Sequence, residues 1–282
     1  MQTLLSAPET LYPASPTERL CRRFAVASGS VTGREHRRLH RNNQDGLAFS
    51  ANPRHLVAAV SDGCSAGRSS EVAARLSVSW LCAWLPRYVE RAADLGDPER
   101  LAAVSRGLES FLGGLAEGLR PEAAALPATV QDLCLATVLA VMVDETHTAI
   151  FGAGDGLYSV NGRLHVLDAG PDNRPAYLGY RLLARRDVAW AGPPPALVLH
   201  ELRPTCEVES LLLGTDGLLD LLDPEARPLR DGSAAGSPLQ FEEDPRYGRN
   251  PSLVQKRLAQ LGELNQRLSD DTTVIVLRRQ EG

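Results

Sequence analysis

Five carboxylates in this chain stand at places where an apolar run stops. Leu56 to Val60 is followed by Ser61-Asp62-Gly63, and the run at 211–213 by Gly214-Thr215-Asp216-Gly217. Asp45 closes "NNQD", Asp155 sits in "GAGDG", and Asp270 opens "DDTTVIVL" together with Asp271. Asp-Gly is a favoured hairpin dipeptide, so each Asp alone reads equally as a turn or cap residue. The residues after Gly63 and after Gly217 run into helical patterns instead of a partner strand, which argues against a simple hairpin at either place. An ionised carboxylate at the end of a buried strand is costly unless a cation or several donors meet it. Oxygen-only clusters of this kind suit hard divalent cations such as Mg2+ or Mn2+. Glycine after the carboxylate allows its own carbonyl to approach a ligand closely.

The elements that must position these residues are legible from periodicity. A strand is expected over 23–31, followed by a basic polar connection, "TGREHRRLHRNNQDG", and by two strands around Asn52-Pro53. Val72, Leu76, Trp80 and Trp84 mark a helix that Pro86 is expected to end or interrupt. A second helix fits 98–119, and 120–132 reads as a linker. Strands return over 133–143, with a turn at Asp144-Glu145, and over 147–160, with Asn161-Gly162 as a hairpin turn. A Gly/Pro-rich loop covers 169–195. Strands at 196–204 and 207–214, a helix at 218–226, a helix at 250–268 and a closing strand after Asp271 complete the order. Strands grouped apart from helices predict an α+β fold with mainly antiparallel pairing.

Composition bounds the function classes. The chain has 282 residues and a net charge of −5, which speaks against a general nucleic-acid or anionic-membrane binder. The longest apolar run, Leu133–Val143, is too short to cross a bilayer. Five cysteines without a CxxC pair fit free thiols in a reducing compartment, and no signal peptide is read at the start. The expectation is therefore a cytoplasmic protein that binds neither nucleic acid nor membrane. Residues 1–20, rich in proline, are expected to form a flexible tail ahead of one domain over 21–282.

The ordered set "NQD", "VSDG", "GAGDG", "LLLGTDGLLD" and "SDDTTVIVL" resembles the metal-dependent Ser/Thr protein phosphatases of type 2C, the PPM family, over about residues 24–278. The "GxxH…NQD" opening, the "DDTT" close and "NRPAYLGYRL" at 173–182 are similar to a bacterial branch. The resemblance implies a four-layer αββα sandwich, two antiparallel β-sheets flanked by helices, with a two-metal site at one end. It implies that Asp62 bridges two Mn2+ or Mg2+ ions and that the Gly63 carbonyl completes one shell. Asp216 and Asp270 match further ligands, Asp45 lies near the second metal, and Asp155 matches a ligand of a weaker third. Asp62 and Asp216 would then act in catalysis through metal-activated water attacking a phosphoserine or phosphothreonine. The implied partner is a phosphoprotein, itself the target of a Ser/Thr kinase.

Departures from the family pattern keep alternatives open. His40 stands where many relatives have a phosphate-gripping arginine, so His36, Arg38, His40 and Arg41 are the candidates for the substrate phosphate, against a solvated loop face. Gln44 replaces Glu, Cys64 replaces Met or His, and Asp271 replaces Asn, either as a turn residue or as a further ligand. A phosphoprotein-binding regulator with weak catalysis and another two-metal phosphoester hydrolase remain as competing readings. The loop 169–195 fits a substrate-side flap or a structural loop.

Overall fold

The computed structural model describes residues 2–5, 23–170, 174–184, 195–223 and 228–280. Two antiparallel sheets face each other. The first contains β1 (Gln2–Leu5), β3 (Gly46–Ala51), β4 (Leu56–Ser61), β5 (Val138–Val143), β6 (His147–Ala153) and β9 (Val198–Pro204), ordered β1-β3-β4-β5-β6-β9. The second contains β2 (Phe24–Val31), β7 (Gly156–Val160), β8 (Arg163–Leu167), β10 (Ser210–Gly214) and β11 (Thr272–Arg279), ordered β2-β11-β10-β7-β8. The helices are α1 (Arg34–Arg38), α2 (Glu71–Tyr88), α3 (Pro98–Leu119), α4 (Leu126–Leu133), α5 (Tyr180–Ala184), α6 (Gln240–Glu243), α7 (Pro245–Arg249) and α8 (Ser252–Ala259).

Alternation along the strands builds the layers. In β4, Leu56, Ala58 and Val60 join Leu211, Leu213, Ile275 and Leu277 between the sheets. The intervening Val57 and Ala59 pack under α2 and α3 with Val78, Leu81, Leu85, Val104 and Leu108. Val274 and Val276 of β11 face the other way, against Val254 and Leu258 of α8. Both faces of β4 are covered, which is why its sequence is a continuous apolar run and not an alternating one. The result is the αββα sandwich that the family resemblance implied.

Several local expectations are corrected. Pro86 does not stop α2, which continues to Tyr88. Proline leaves the carbonyl four residues back without its helical donor, and the Ser50 hydroxyl of β3 supplies one to Cys82 O at 2.7 Å. The supposed linker 120–132 contains most of α4, whose Val130 and Leu126 bury against Cys134 and Leu135. Asp216–Leu222 forms a 3-10 helix, and the expected helix over 250–268 is α8 followed by one π-helical turn at Gln260–Leu264. Within the expected tail, residues 2–5 are β1, paired with β3 from Gln2↔Ala51 to Leu5↔Ala48. The remainder of that expectation, up to residue 20, lies outside the described residues. So do 171–173 and 185–194 of the expected flap.

Candidate metal centre

Register gathers the carboxylates. Gly46 pairs with Ser61, Leu139 with Val60, Val138 with Ala153, and Gly214 with both Leu157 and Val274. Asp45 before β3, Asp62 after β4, Asp155 between β6 and β7, Asp216 after β10 and Asp270 before β11 therefore share one end of the sandwich. Beyond β4 the chain stays beside 135–137. The Asp62 N–H donates to Thr137 Oγ1 at 2.9 Å, and Cys64 N–H to Leu135 O at 2.9 Å. Gly63 is required by crowding, since a Cβ there would lie 2.6 Å from Gln44 O and 2.7 Å from Ser70 Oγ. At Gly217 a Cβ would run into the Asp271 carbonyl, so glycine lets the Asp216 turn close onto the start of β11.

The site is charged and under-satisfied. Asp45 is 3% exposed, and its Oδ2 accepts from Thr215 Oγ1 at 2.9 Å. Its Oδ1, with Oδ1 of Asp155 and Oδ1 of Asp216, is buried without a hydrogen-bond partner among the described residues. Burial pushes Asp45 and Asp62 well above the usual carboxylate range. Asp271 and Asp216 add to the effect at Asp45, and Asp216, Asp45, Asp270 and Asp155 add to it at Asp62. Asp216 is raised to about 7, by burial first and then by Asp155 and Asp270. Burial also raises Asp155 and Asp270. Like charges crowded in a poorly solvated place disfavour ionisation, and a cation reverses that preference. Oxygen donors with unfilled lone pairs fit divalent cations of the Mg2+ or Mn2+ kind.

Asp271 belongs to a different class. It is 1% exposed; its Oδ1 accepts from Gly33 N–H at 2.7 Å and its Oδ2 from Gln44 N–H at 2.5 Å. His36 Nδ1 lies 2.7 Å from the same Oδ2. One ligand atom each from His36, Asp270 and Asp271 fall within 4.8 Å of one another. Asp271 and His36 Nδ1 are already committed to each other and to backbone donors, which sets this triad apart from the carboxylates with unmet oxygens. Asp271 acts as a clamp that ties the 33–36 turn and the Gln44-Asp45 approach to the start of β11, the turn role rather than the ligand role.

The four phosphate candidates separate. His36 is 5% exposed and holds Asp271, which raises its pKa, so it is an internal support and not a surface contact. Arg38 is exposed and pairs with Glu35 at 3.2 Å. His40 is exposed with φ 53°, and exposed Arg41 donates Nη1–H to Ser65 O at 2.5 Å. Sequence reasoning missed Thr215, whose hydroxyl oxygen also accepts from Thr273 N–H at 2.9 Å, and Asp220, whose Oδ2 accepts from Ser269 N–H and Oγ–H at 2.5 and 2.7 Å. Both lie inside "LLLGTDGLLD", so the signal was present without a stated role. Tyr177, buried in a cluster against which Cys64 packs, lies inside "NRPAYLGYRL", again without a stated role.

A protein-family description, Protein phosphatase 2C, matches residues 32–234. The chain belongs to the protein phosphatase 2C family. The matched stretch carries Asp45, Asp62, Asp155 and Asp216 and stops before Asp270. Solved structures agree on the fold of this phosphatase 2C chain. The Staphylococcus aureus serine/threonine phosphatase Stp1 is 16% identical, with a TM-score of 0.53 over 91% of this chain and 95% of that one. The Mycobacterium tuberculosis serine/threonine phosphatase PstP/Ppp is 17% identical, with a TM-score of 0.51 over 92% of this chain and 100% of that one. The S. agalactiae serine/threonine phosphatase is 15% identical, with a TM-score of 0.53 over 91% and 100%. Among curated protein sequences nothing matches.

Proposed function

We propose that this phosphatase 2C chain hydrolyses phosphoserine and phosphothreonine on proteins with two Mn2+ or Mg2+ ions, and a weaker third, as cofactors. The observation that carries the reading is the set of three buried carboxylate oxygens, on Asp45, Asp155 and Asp216, left without partners at one end of the sandwich. Asp62, the Gly63 carbonyl, Asp216 and Asp270 would hold the ions with Asp45 and Asp155. When bound, divalent cations lower the pKa of water and neutralise charge on a phosphoryl group.

The chain's own residues do the positioning. Thr215 fixes the rotamer of Asp45 through Oδ2, leaving Oδ1 free to ligate. Thr137 holds the Asp62 backbone, so the carboxylate and the Gly63 carbonyl leave the sheet in a defined direction. Exposed Arg38, His40 and Arg41 shortly precede Asp45 in the chain and would offer positive charge to an anionic substrate. The substrate is read as the target of a Ser/Thr kinase. The free thiols Cys64, Cys82, Cys134 and Cys206 support a cytoplasmic setting. No helix among the described residues is long and apolar enough to cross a membrane.

The test is hydrolysis of a phosphothreonine peptide by metal-stripped protein with Mn2+ or Mg2+ restored. Turnover that returns with metal and is absent in Asp62→Ala supports the reading. Calorimetric metal binding without turnover would replace it with a phosphoprotein-binding regulator. Turnover of a nucleotide but not of the peptide would replace it with another two-metal phosphoester hydrolase.

A further inference from the structure

Asp45 is held at every polar group but one. Its N–H donates to Asn43 Oδ1 at 2.9 Å, and its carbonyl accepts from Arg75 Nε–H at 3.3 Å. Its Oδ2 accepts from Thr215, and only Oδ1 has no partner among the described residues. Thr215 accounts for the carboxylate; Asn43 and Arg75 account for the backbone.

Asn43 is 4% exposed and bonds in two directions. While its Oδ1 takes the Asp45 amide, its Nδ2–H donates to Ser30 Oγ of β2 at 2.8 Å. Ser30 is a fixed point. Gln255 of α8 brackets its backbone, accepting the N–H at 2.8 Å and donating Nε2–H to the carbonyl at 2.9 Å. Thr273, the register partner of Ser30 on β11, donates its hydroxyl to the same Ser30 Oγ at 2.7 Å. Glycine at 29 lets α8 come this close, since a Cβ there would lie 2.9 Å from Gln255 Cα.

Arg75 approaches from α2, on the outer side of the first sheet. Its Nη2–H donates to Asn43 O at 2.8 Å while Nε–H reaches Asp45 O. One guanidinium thus spans the carbonyls on either side of Gln44, a grip that a planar fork makes and an ammonium does not. Gly46 brings this segment against α2, because a Cβ there would lie 2.6 Å from the Ala74 carbonyl. Asp45 leads into β3 of the first sheet, yet the Asn43–Ser30 bond and Thr215 tie it to the second. Sheets stacked face to face meet only through side chains, so a ligand aimed across them needs such ties.

We infer that Asn43 and Arg75 are positioning residues for Asp45, fixing its backbone so that Oδ1 is set in place before a cation arrives. This rests on the reading of Asp45 as a residue of the metal site. Preorganisation of this kind raises affinity by removing the cost of ordering the ligand at the moment of binding.

The experiment uses the full chain, with Mn2+ affinity by calorimetry, Tm of the metal-free protein, and kcat and KM on a phosphothreonine peptide. Asn43→Ala should weaken Mn2+ by about tenfold, the scale of a partner that orients a ligand. Ser30→Ala removes only the far end of the tie and should weaken Mn2+ by less, with the fold kept. Raising Mn2+ should restore kcat in both variants and leave KM unchanged. Arg75→Gln decides between positioning and charge. Loss of a positive charge near the site would tighten Mn2+ binding, whereas loss of the grip on Asn43 and Asp45 weakens it, and weakening is expected. Arg75→Lys keeps the charge without the fork and should weaken Mn2+ as well. Parent Mn2+ affinity in folded Asn43→Ala and Ser30→Ala, or tighter binding in Arg75→Gln, would overturn the inference and leave the metal reading standing. A parent protein that binds no Mn2+ would overturn both.

Discussion

Two ends of the same sheet carry aspartates, and they behave in opposite ways. Asp144, in the turn after β5, is 6% exposed, yet every demand of its carboxylate is met. Its Oδ1 accepts from Thr146 N–H, Thr146 Oγ1–H and His147 N–H at 2.6 to 2.8 Å, and its Oδ2 from Ala92 N–H at 2.6 Å. Those bonds outweigh burial and hold it below the usual range. At the other end of β4 and β5, Asp62 and its four neighbours are held above that range. The same side chain at a strand end is a turn residue where the backbone supplies the donors. Where the donors are missing and the neighbours are also acids, the same side chain suits a cation instead.

The sharpest break of this comparison is Asp62→Ala. Mn2+-dependent turnover of a phosphothreonine peptide should fall more than about 100-fold, beyond the loss typical of outer-shell partners. The metal-free variant should be no less stable than the parent, because it sheds repulsion. Near-normal turnover would remove Asp62 from the site. The next effect is on stability against pH. Carboxylates raised in the folded state favour folding at low pH, and that contribution is lost as pH rises through the folded value, about 7 for Asp216. Metal-free protein should weaken in denaturant titrations from about pH 4 to pH 8, and Asp216→Asn should flatten that slope. Asp144 runs the other way: its contribution is present above the ordinary carboxylate pKa and lost as pH falls through its lowered value.

Asp144→Ala should cost about 3 kcal/mol, from several buried donors left unpaired, while turnover per folded molecule stays the same. If the two ends differ as described, saturating Mn2+ at about 100 times its Kd should add about 2.7 kcal/mol to the parent and to Asp144→Ala, but not to Asp216→Ala. The smallest effect belongs to the clamp between these extremes. Asp271→Asn keeps the shape but turns an N–H toward a donor, and should weaken Mn2+ by about tenfold in calorimetry.

How far the sequence could be read follows from the range of the forces involved. Leu56–Val60 and 211–213 were legible as strand cores because covering both faces demands apolar residues throughout. The helix over 98–119 was legible from its apolar stripe, of which Leu101, Val104, Leu108 and Leu112 are buried, and the structure adds an Asp97 cap that accepts from Glu99 N–H at 2.9 Å. The carboxylate motifs were legible from chemistry and order. Pro86 misled, because its cost is relieved by Ser50, more than thirty residues earlier. The burial of His36 was hidden for a similar reason. Nothing near it announces that Asp271 waits across the fold to bury it.

The sequence by itself determined the antiparallel class and the five aspartates at strand ends, because these depend on side-chain period and on local turn chemistry. Only the tertiary structure decided which aspartates remain short of donors. Satisfaction of a buried carboxylate is a property of everything that packs around it. Thr215 reaches Asp45 across the two sheets, and Gly33 and Gln44 fill Asp271, while Asp155 and Asp216 each keep a buried oxygen that nothing among the described residues reaches. Donors are recruited from distant segments, so the same three letters, Thr-Asp-Gly or Ser-Asp-Gly, acquire their role only when the chain has closed.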